Sequence, residues 1–238
     1  YRCDGYTMDI EDCSDGSLIT TLILPSRVRE CIINDGKMYG IYNSDIRDGG
    51  FIMVLDCSDD SLLTPVAGPR NTYISNLHFH AGKLYASCGD HTIQVYDCSD
   101  HSLITTLKHT GRVTCLAFYS DKLYSSMNER KDSDPAFRIL VWNCSTHRLI
   151  TTLEHTGHIR ELQIHDGKLY AANDCGVMMV WDCSNDKLLD AQDAGWSKFT
   201  SFHEGKLYYV THNRGTIRVY DCGDLSLTAT LEWDHGAQ

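Results

Sequence analysis

The chain has 238 residues, 42% of them hydrophobic and 22% charged, and carries a formal net charge of −11. That balance excludes a disordered segment, leaves no apolar run long enough to cross a membrane as a helix, and disfavours attraction to nucleic acid or an anionic membrane surface. The cysteine count is 11, and the number is odd, so it does not read as a disulfide framework.

In chain order the sequence is a repeat. An Asp-Cys or Asn-Cys pair stands at Asp12-Cys13, Asp56-Cys57, Asp97-Cys98, Asn143-Cys144, Asp182-Cys183 and Asp221-Cys222, with cysteine steps of 44, 41, 46, 39 and 39 residues. A second marker, Gly/Asp-Lys-Leu/Met-Tyr, falls between successive copies at 36–39, 82–85, 121–124, 167–170 and 205–208. Two markers in phase without a linker predict one repeat-built domain over 1–238. Tyr1 aligns with the Tyr of the second marker, so the chain is expected to open inside a repeat and to come from a larger protein. Matched cysteines in separate repeats lie beyond the roughly 7 Å Cα limit of a disulfide. The six are therefore expected to be reduced, buried hydrophobes in an intracellular compartment.

Each repeat reads as four strands with period-two alternation, denoted a to d. In the fourth repeat these are RVTCLAFY from Arg112, KLYSSM from Lys122, FRILVWN from Phe137 and RLITTLEH from Arg148, with turns at Ser120-Asp121 and 144–147. Strand c repeats its apolar pair as Ile52/Val54, Ile93/Val95, Ile139/Val141, Met178/Val180 and Ile217/Val219, which predicts burial between neighbouring sheets. No segment carries a helical period. Counting from Tyr1 gives b, c and d of a first repeat, then five complete repeats. Insertions NSDIRDGG from Asn43 and NERKDSDPA from Asn128 lengthen two b–c loops, both on one face.

Four strands closing on an aromatic-Asp pair, with a His-containing turn next, resemble the WD-repeat β-propeller family over the whole chain. The carrying residues are Trp142-Asn143 and Trp181-Asp182, with Tyr96-Asp97 and Tyr220-Asp221 as aromatic variants. Lys108-His109 and Glu154-His155 stand at the family's G-H step, which is missing before the second, third and sixth repeats. The resemblance implies an all-β propeller of four-stranded antiparallel blades, five complete and one partial, from a parent with six or seven. It also implies a blade network of His, Ser or Thr, Asp and Trp. Only the fourth blade approaches this set, through His109, Ser125 or Ser126, Asp132 or Asp134, and Trp142. The third keeps Ser87 and Asp90 without the His, and in the fifth the Asp position falls on Cys175. Apolar packing between sheets is expected to carry most of the stability.

The chain's 12 histidines invite a metal or catalytic reading, but no CxxC or HExxH occurs. His78 and His80 flank Phe79 on one side of a strand and are expected to face solvent. His109, His155 and His235 share the turn before strand a, so they repeat with the fold and read as network residues. Asn143-Cys144-Ser145 matches a glycosylation sequon but is one copy of the six-fold marker. The second-marker lysines read as solvated turn residues. No cofactor and no metal is expected.

The strand a starts differ from blade to blade. Aligned on Val28, Ile74, Val113, Ile159 and Ser197, the following residues are Arg29, Ser75, Thr114, Arg160 and Lys198, and the preceding ones Arg27, Tyr73, Arg112, His158 and Trp196. In the resembled family these positions surround the channel mouth and contact partners. Arg and aromatic types suit interface anchors and carboxylate or phosphate recognition; pairing with Glu30 and Glu161 is the bland alternative. The expectation is a non-enzymatic interaction scaffold that takes an acidic or phosphorylated peptide at Arg27, Arg29, Tyr73, Arg112, His158, Arg160, Trp196 and Lys198. The rivals are an architectural subunit held in a complex by its blade edges and, less favoured, an enzyme using a central pocket.

Overall fold

The computed structural model describes residues 2–4, 7–11, 17–23, 28–43, 49–59, 61–62, 66–68, 72–129, 136–194, 197–211 and 216–232. Among them there is no helix. A first sheet holds β1 (Arg2–Asp4), β2 (Thr7–Glu11) and β3 (Leu18–Ile23), and a second β4 (Val28–Asn34), β5 (Lys37–Asn43), β6 (Gly50–Asp56), β7 (Ser61–Leu62) and β8 (Val66–Ala67). A third holds β9 (Ile74–His80), β10 (Lys83–Cys88), β11 (Thr92–Asp97) and β12 (Leu103–Lys108), and a fourth β13 (Arg112–Tyr119), β14 (Lys122–Glu129), β15 (Ala136–Asn143) and β16 (Leu149–His155). The fifth is β17 (Ile159–His165), β18 (Lys168–Asn173), β19 (Val177–Asp182) and β20 (Lys187–Asp193), and the sixth β21 (Ser197–His203), β22 (Lys206–Thr211), β23 (Thr216–Asp221) and β24 (Leu227–Glu232). Every sheet is antiparallel in sequence order, and in the second the d position is shared by β7 and β8, both paired to β6. The strands fall into two compact units, Tyr1–Val113 and Thr114–Gln238.

The phase of the two markers has a backbone cause. In five sheets the marker Cys N–H donates to the carbonyl of the a–b turn: Cys57 to Gly36 at 2.8 Å, Cys98 to Gly82 at 3.0 Å, Cys144 to Asp121 at 2.8 Å, Cys183 to Gly167 at 2.9 Å and Cys222 to Gly205 at 2.8 Å. The preceding Asp caps its own turn. Asp56, Asp97 and Asp182 accept from the hydroxyl and then the N–H of Ser58, Ser99 and Ser184, and those hydrogen bonds, the hydroxyl's foremost, hold the three carboxyls below their usual range. The a–b turns Asp35-Gly36, Ala81-Gly82, Asp166-Gly167 and Glu204-Gly205 have both φ values positive, the two-residue type I′ geometry that matches strand twist.

The third residue after the cysteine is left-handed wherever it is described, at His101, His147, Asp186 and Leu225. At His101 and Asp186 this conformation aims the side chain at the preceding sheet. In the second unit Asp186 accepts from Lys122 Nζ and from Tyr124 Oη, each at 2.8 Å, and Lys122 also donates to the Cys183 carbonyl at 2.8 Å. Lys168 reaches the carbonyls of Cys222 and Gly223 in the same way. In the first unit the Tyr39 hydroxyl lies 3.1 Å from His101 Nε2. The Lys and Tyr of one sheet thus grip the turn of the next. Lys122 and Lys168 are therefore not the solvated turn residues expected, because a carboxylate and free turn carbonyls lie within reach of their stems.

Between these grips the sheets pack by apolar side chains. Ile93, Val95, Ile139, Val141 and Val219 are buried, whereas Ile217 is only half-buried. Tyr124, Leu153, Met179 and Trp181 belong to one core of the second unit, and Tyr39, Ile52, Leu84 and Tyr96 to one core of the first. The nine cysteines whose side chains are described are free; Cys144, Cys183 and Cys222 are buried, Cys57 and Cys98 half-buried, and Cys13 lies outside the described residues. His78 is less solvated than expected, and burial holds its pKa below the ordinary value. Each c–d ladder of the four-stranded sheets shifts register at one place, as at Val95/Tyr96 and Val141/Trp142. The extra residue leaves apolar pairs such as Leu103/Ile104 and Leu149/Ile150 exposed on an edge strand, whose bulge twists it away from pairing.

Candidate functional site

The residues on which strand a was aligned, Val28, Ile74, Val113 and Ile159, are all buried. Their neighbours diverge in fate. Ser75 turns inward, donating to the Ser87 carbonyl at 3.1 Å, and Thr114 Oγ1 lies 2.8 Å from Ser126 Oγ. Arg112 in the first unit and Arg160 in the second point to solvent. Arg160 lies 3.7 Å from Asp174, not paired with Glu161, and its side chain remains 60% exposed; such a pair is worth about 0–1 kcal/mol. Glu161 instead accepts from Gln163. Arg27 and Trp196 lie outside the described residues, as do the side chains of Arg29, Glu30 and Lys198.

Tyr73 and His158, the residues before the buried position, are fixed by their own b–c turns. The Tyr73 carbonyl accepts from Gly89 N–H at 2.8 Å and that of His158 from Asp174 N–H at 3.0 Å. The His158 ring is half-buried, with Asn128 Nδ2 3.0 Å from its Nε2 and the Phe137 ring beside it. Asn128 was read as the first residue of a loop insertion; it is a buried end of β14 that also reaches the Ile159 N–H. The cue was an Asn directly preceding the long loop, which sequence alone could not distinguish from a turn residue. The ends of both insertions likewise belong to strands, Asn43 to β5, Gly50 to β6, Glu129 to β14 and Ala136 to β15; of the stretches between them only Gly49 is described, 44–48 and 130–135 lying outside the described residues.

The Tyr73 ring lies on Gly89, where a methyl group would come within 2.4 Å of Cε1. Gly89→Ala must displace the ring and is expected to cost about 1–3 kcal/mol. Denaturant midpoints should show the loss largely relieved in the Gly89→Ala/Tyr73→Ala double variant.

The blade network is partial. Trp142 Nε1 donates to Ser125 Oγ at 3.0 Å and Ser126 serves strand a, so Ser125 is the tryptophan's partner. Asp132 and Asp134 lie outside the described residues. His109 belongs to the first unit, where its N–H donates to the His91 carbonyl at 2.9 Å. His155 is buried against Trp181, accepting at Nδ1 from Gly157 N–H and facing the Ala171 carbonyl with Nε2, and burial lowers its pKa. Asn173 supplies the turn cap that Cys175 cannot, accepting from the N–H groups of Cys175 and Val177. Burial pushes the Cys183 thiol up to about 11 and Cys88 to about 12, the opposite of nucleophile activation. Among the described residues no three His, Cys, Asp or Glu side chains group as metal ligands.

No family model matches the sequence, and no curated protein matches it. Solved structures do. A computationally designed protein, Ika8, superposes with a TM-score of 0.73 at 19% identity, over 91% of this chain and 65% of its own. The fold is a β-propeller. U3-55K matches with a TM-score of 0.68 at 17% identity, over 95% of this chain and 76% of its own. A chain of the mitotic checkpoint complex matches at 0.66 and 14%, over 86% of this chain and 68% of its own. This chain thus spans just under two thirds of the designed protein's length. At these identities the likeness is one of fold: four-stranded antiparallel blades in sequence order.

Proposed function

We propose that this propeller is of the WD-repeat kind and acts as a non-enzymatic protein-binding scaffold of an intracellular complex, with its strand a starts taking an acidic or phosphorylated peptide segment. The observation that carries the reading is the exposure of Arg112, Arg160 and Tyr73 at positions that vary from blade to blade while the two markers recur, on a chain of net charge −11. Tyr73 and Arg112 stand in one unit and Arg160 in the other, and Arg160 holds only a loose partner. A guanidinium so placed can take a carboxylate or phosphate in bidentate fashion. The raised thiols and the buried, neutral histidines favour binding over catalysis.

The test is a peptide array probed with the whole chain, comparing phosphorylated, acidic and uncharged versions of the same sequences. Retention of the phosphorylated and acidic members, reduced about tenfold by Arg112→Ala or Arg160→Ala, is expected. Equal retention of the uncharged versions would contradict it. The exposed apolar pairs on the d strands favour the edge-held subunit as the second reading, and binding indifferent to both substitutions would support that instead.

A further inference from the structure

In the fifth blade the strand a start faces a carboxylate of its own chain. The b–c turn that follows β18 is held at both ends: Asp174 N–H donates to the His158 carbonyl at 3.0 Å, and Asn173 Oδ1 accepts from the N–H groups of Cys175 at 2.9 Å and Val177 at 2.8 Å. Asn173 is buried and packs on Gly157, where a methyl group would come within 2.5 Å of its amide nitrogen. The Asp174 side chain is carried by that fixed backbone and is 29% exposed. Its Oδ1 accepts from the Cys175 thiol at 3.6 Å, and its Oδ2 lies 3.7 Å from Arg160 Nη2. The second distance is too long for a charge-assisted hydrogen bond, which runs about 2.7–2.9 Å. The guanidinium is therefore neutralised in part without giving up its donors. In the third blade the matching backbone donor is Gly89, which pins Tyr73 next to Ser75, so neither charge is present there.

We infer that Asp174 is a built-in competitor at Arg160, an autoinhibitory carboxylate that an incoming anion must displace from the guanidinium. The inference rests on the reading that Arg160 takes an anionic group, and it adds what sets the strength of that contact. A ligand anion on Arg160 either replaces the attraction of Asp174 or lies beside its charge. Both costs vanish when the charge is removed and the backbone bonds of the turn are kept. Because the guanidinium is 60% exposed, solvent limits the effect to about fivefold in affinity.

The experiment uses the whole chain with inorganic phosphate as the probe. Phenylglyoxal modifies accessible guanidinium groups, and its rate at Arg160, read by peptide mapping and mass spectrometry, should fall as phosphate occupies the side chain. Asp174→Asn keeps the backbone donor and the side-chain volume, and should lower the half-protecting phosphate concentration about three- to fivefold. Glu204→Gln removes the same charge from an exposed turn carboxylate that lies 3.7 Å from His203, and should change that concentration by less than about 1.5-fold. An equal or higher half-protecting concentration in Asp174→Asn than in the wild type, or a drop matched by Glu204→Gln, would overturn the inference while leaving Arg160 an anion site. Absence of phosphate protection at Arg160 in all three proteins would overturn the anion reading at this blade and the inference with it.

Discussion

Acidification from pH 7.5 to pH 4.5 is expected to remove about 2.5 kcal/mol of stability through His109 alone, whose pKa burial lowers from the ordinary 6.5 to about 4. Nearby His91 adds a smaller push in the same direction, against the opposing hydrogen bond with the Leu107 backbone. The folded state then binds fewer protons than the unfolded chain between these two pKa values. Stability therefore rises with pH across that window and is lost as pH falls from about 6.5 towards 4. His155 and His78, also lowered by burial, add to the loss in the same direction. The capped turn carboxylates are lowered too, but their contribution fades only below the ordinary carboxylate pKa, so the two classes separate on a pH axis. Denaturant midpoints at pH 7.5, 6 and 4.5 should fall steadily, and His109→Gln should flatten the slope. A midpoint constant from pH 7.5 to 4.5 would contradict the burial of these rings.

Asp186→Ala should be the most damaging single change at a blade turn, with an expected loss of about 3 kcal/mol. Its carboxylate is 9% exposed and takes both Lys122 Nζ and Tyr124 Oη, so removal leaves a half-buried ammonium with one turn carbonyl for a partner. Alanine must also adopt the left-handed backbone at φ 59°, which Asp tolerates better. Asp186→Asn keeps that tolerance and one acceptor oxygen, and should lose about half as much. Tyr124→Phe, deleting one hydrogen bond, should cost about 1 kcal/mol. Urea titrations of the three variants rank them. If Asp186→Ala fell within 0.5 kcal/mol of the wild type, as an exposed ion pair would, the grip between blades would carry no weight.

The strands were legible because strand c alternation and turn chemistry repeat: Arg112–Tyr119 matches the expected strand a, and β15 and β16 match strands c and d to within one residue. The same repetition hid what the markers do. Lys122 and Asp186 are 64 positions apart and meet only because one blade packs on the next, so each marker read alone looks like a solvated turn. The register shift that places Leu149 and Ile150 in solvent is likewise invisible in RLITTLEH, whose adjacent apolar pair reads as buried. At the strand a starts, exposure of Arg112 and Arg160 follows from charge, but the inward turn of Ser75 and Thr114 depends on which strand b hydroxyl or carbonyl faces them. The departure of Gln192 and Arg218 from the apolar rule was present in the sequence as polar residues at core-equivalent positions. It became readable only once the strand register was known.

The central claim is that the strand a starts form the peptide-binding face, and amide hydrogen exchange of the whole chain with and without a bound phosphopeptide tests it most directly. The account predicts slowed exchange at 28–29, 73–75, 112–114, 158–160 and 197–198, with the a–b turns such as Asp166-Gly167 unchanged. Slowing confined to the edge strands 103–108, 149–155 and 187–193 would contradict it and assign binding to the blade edges.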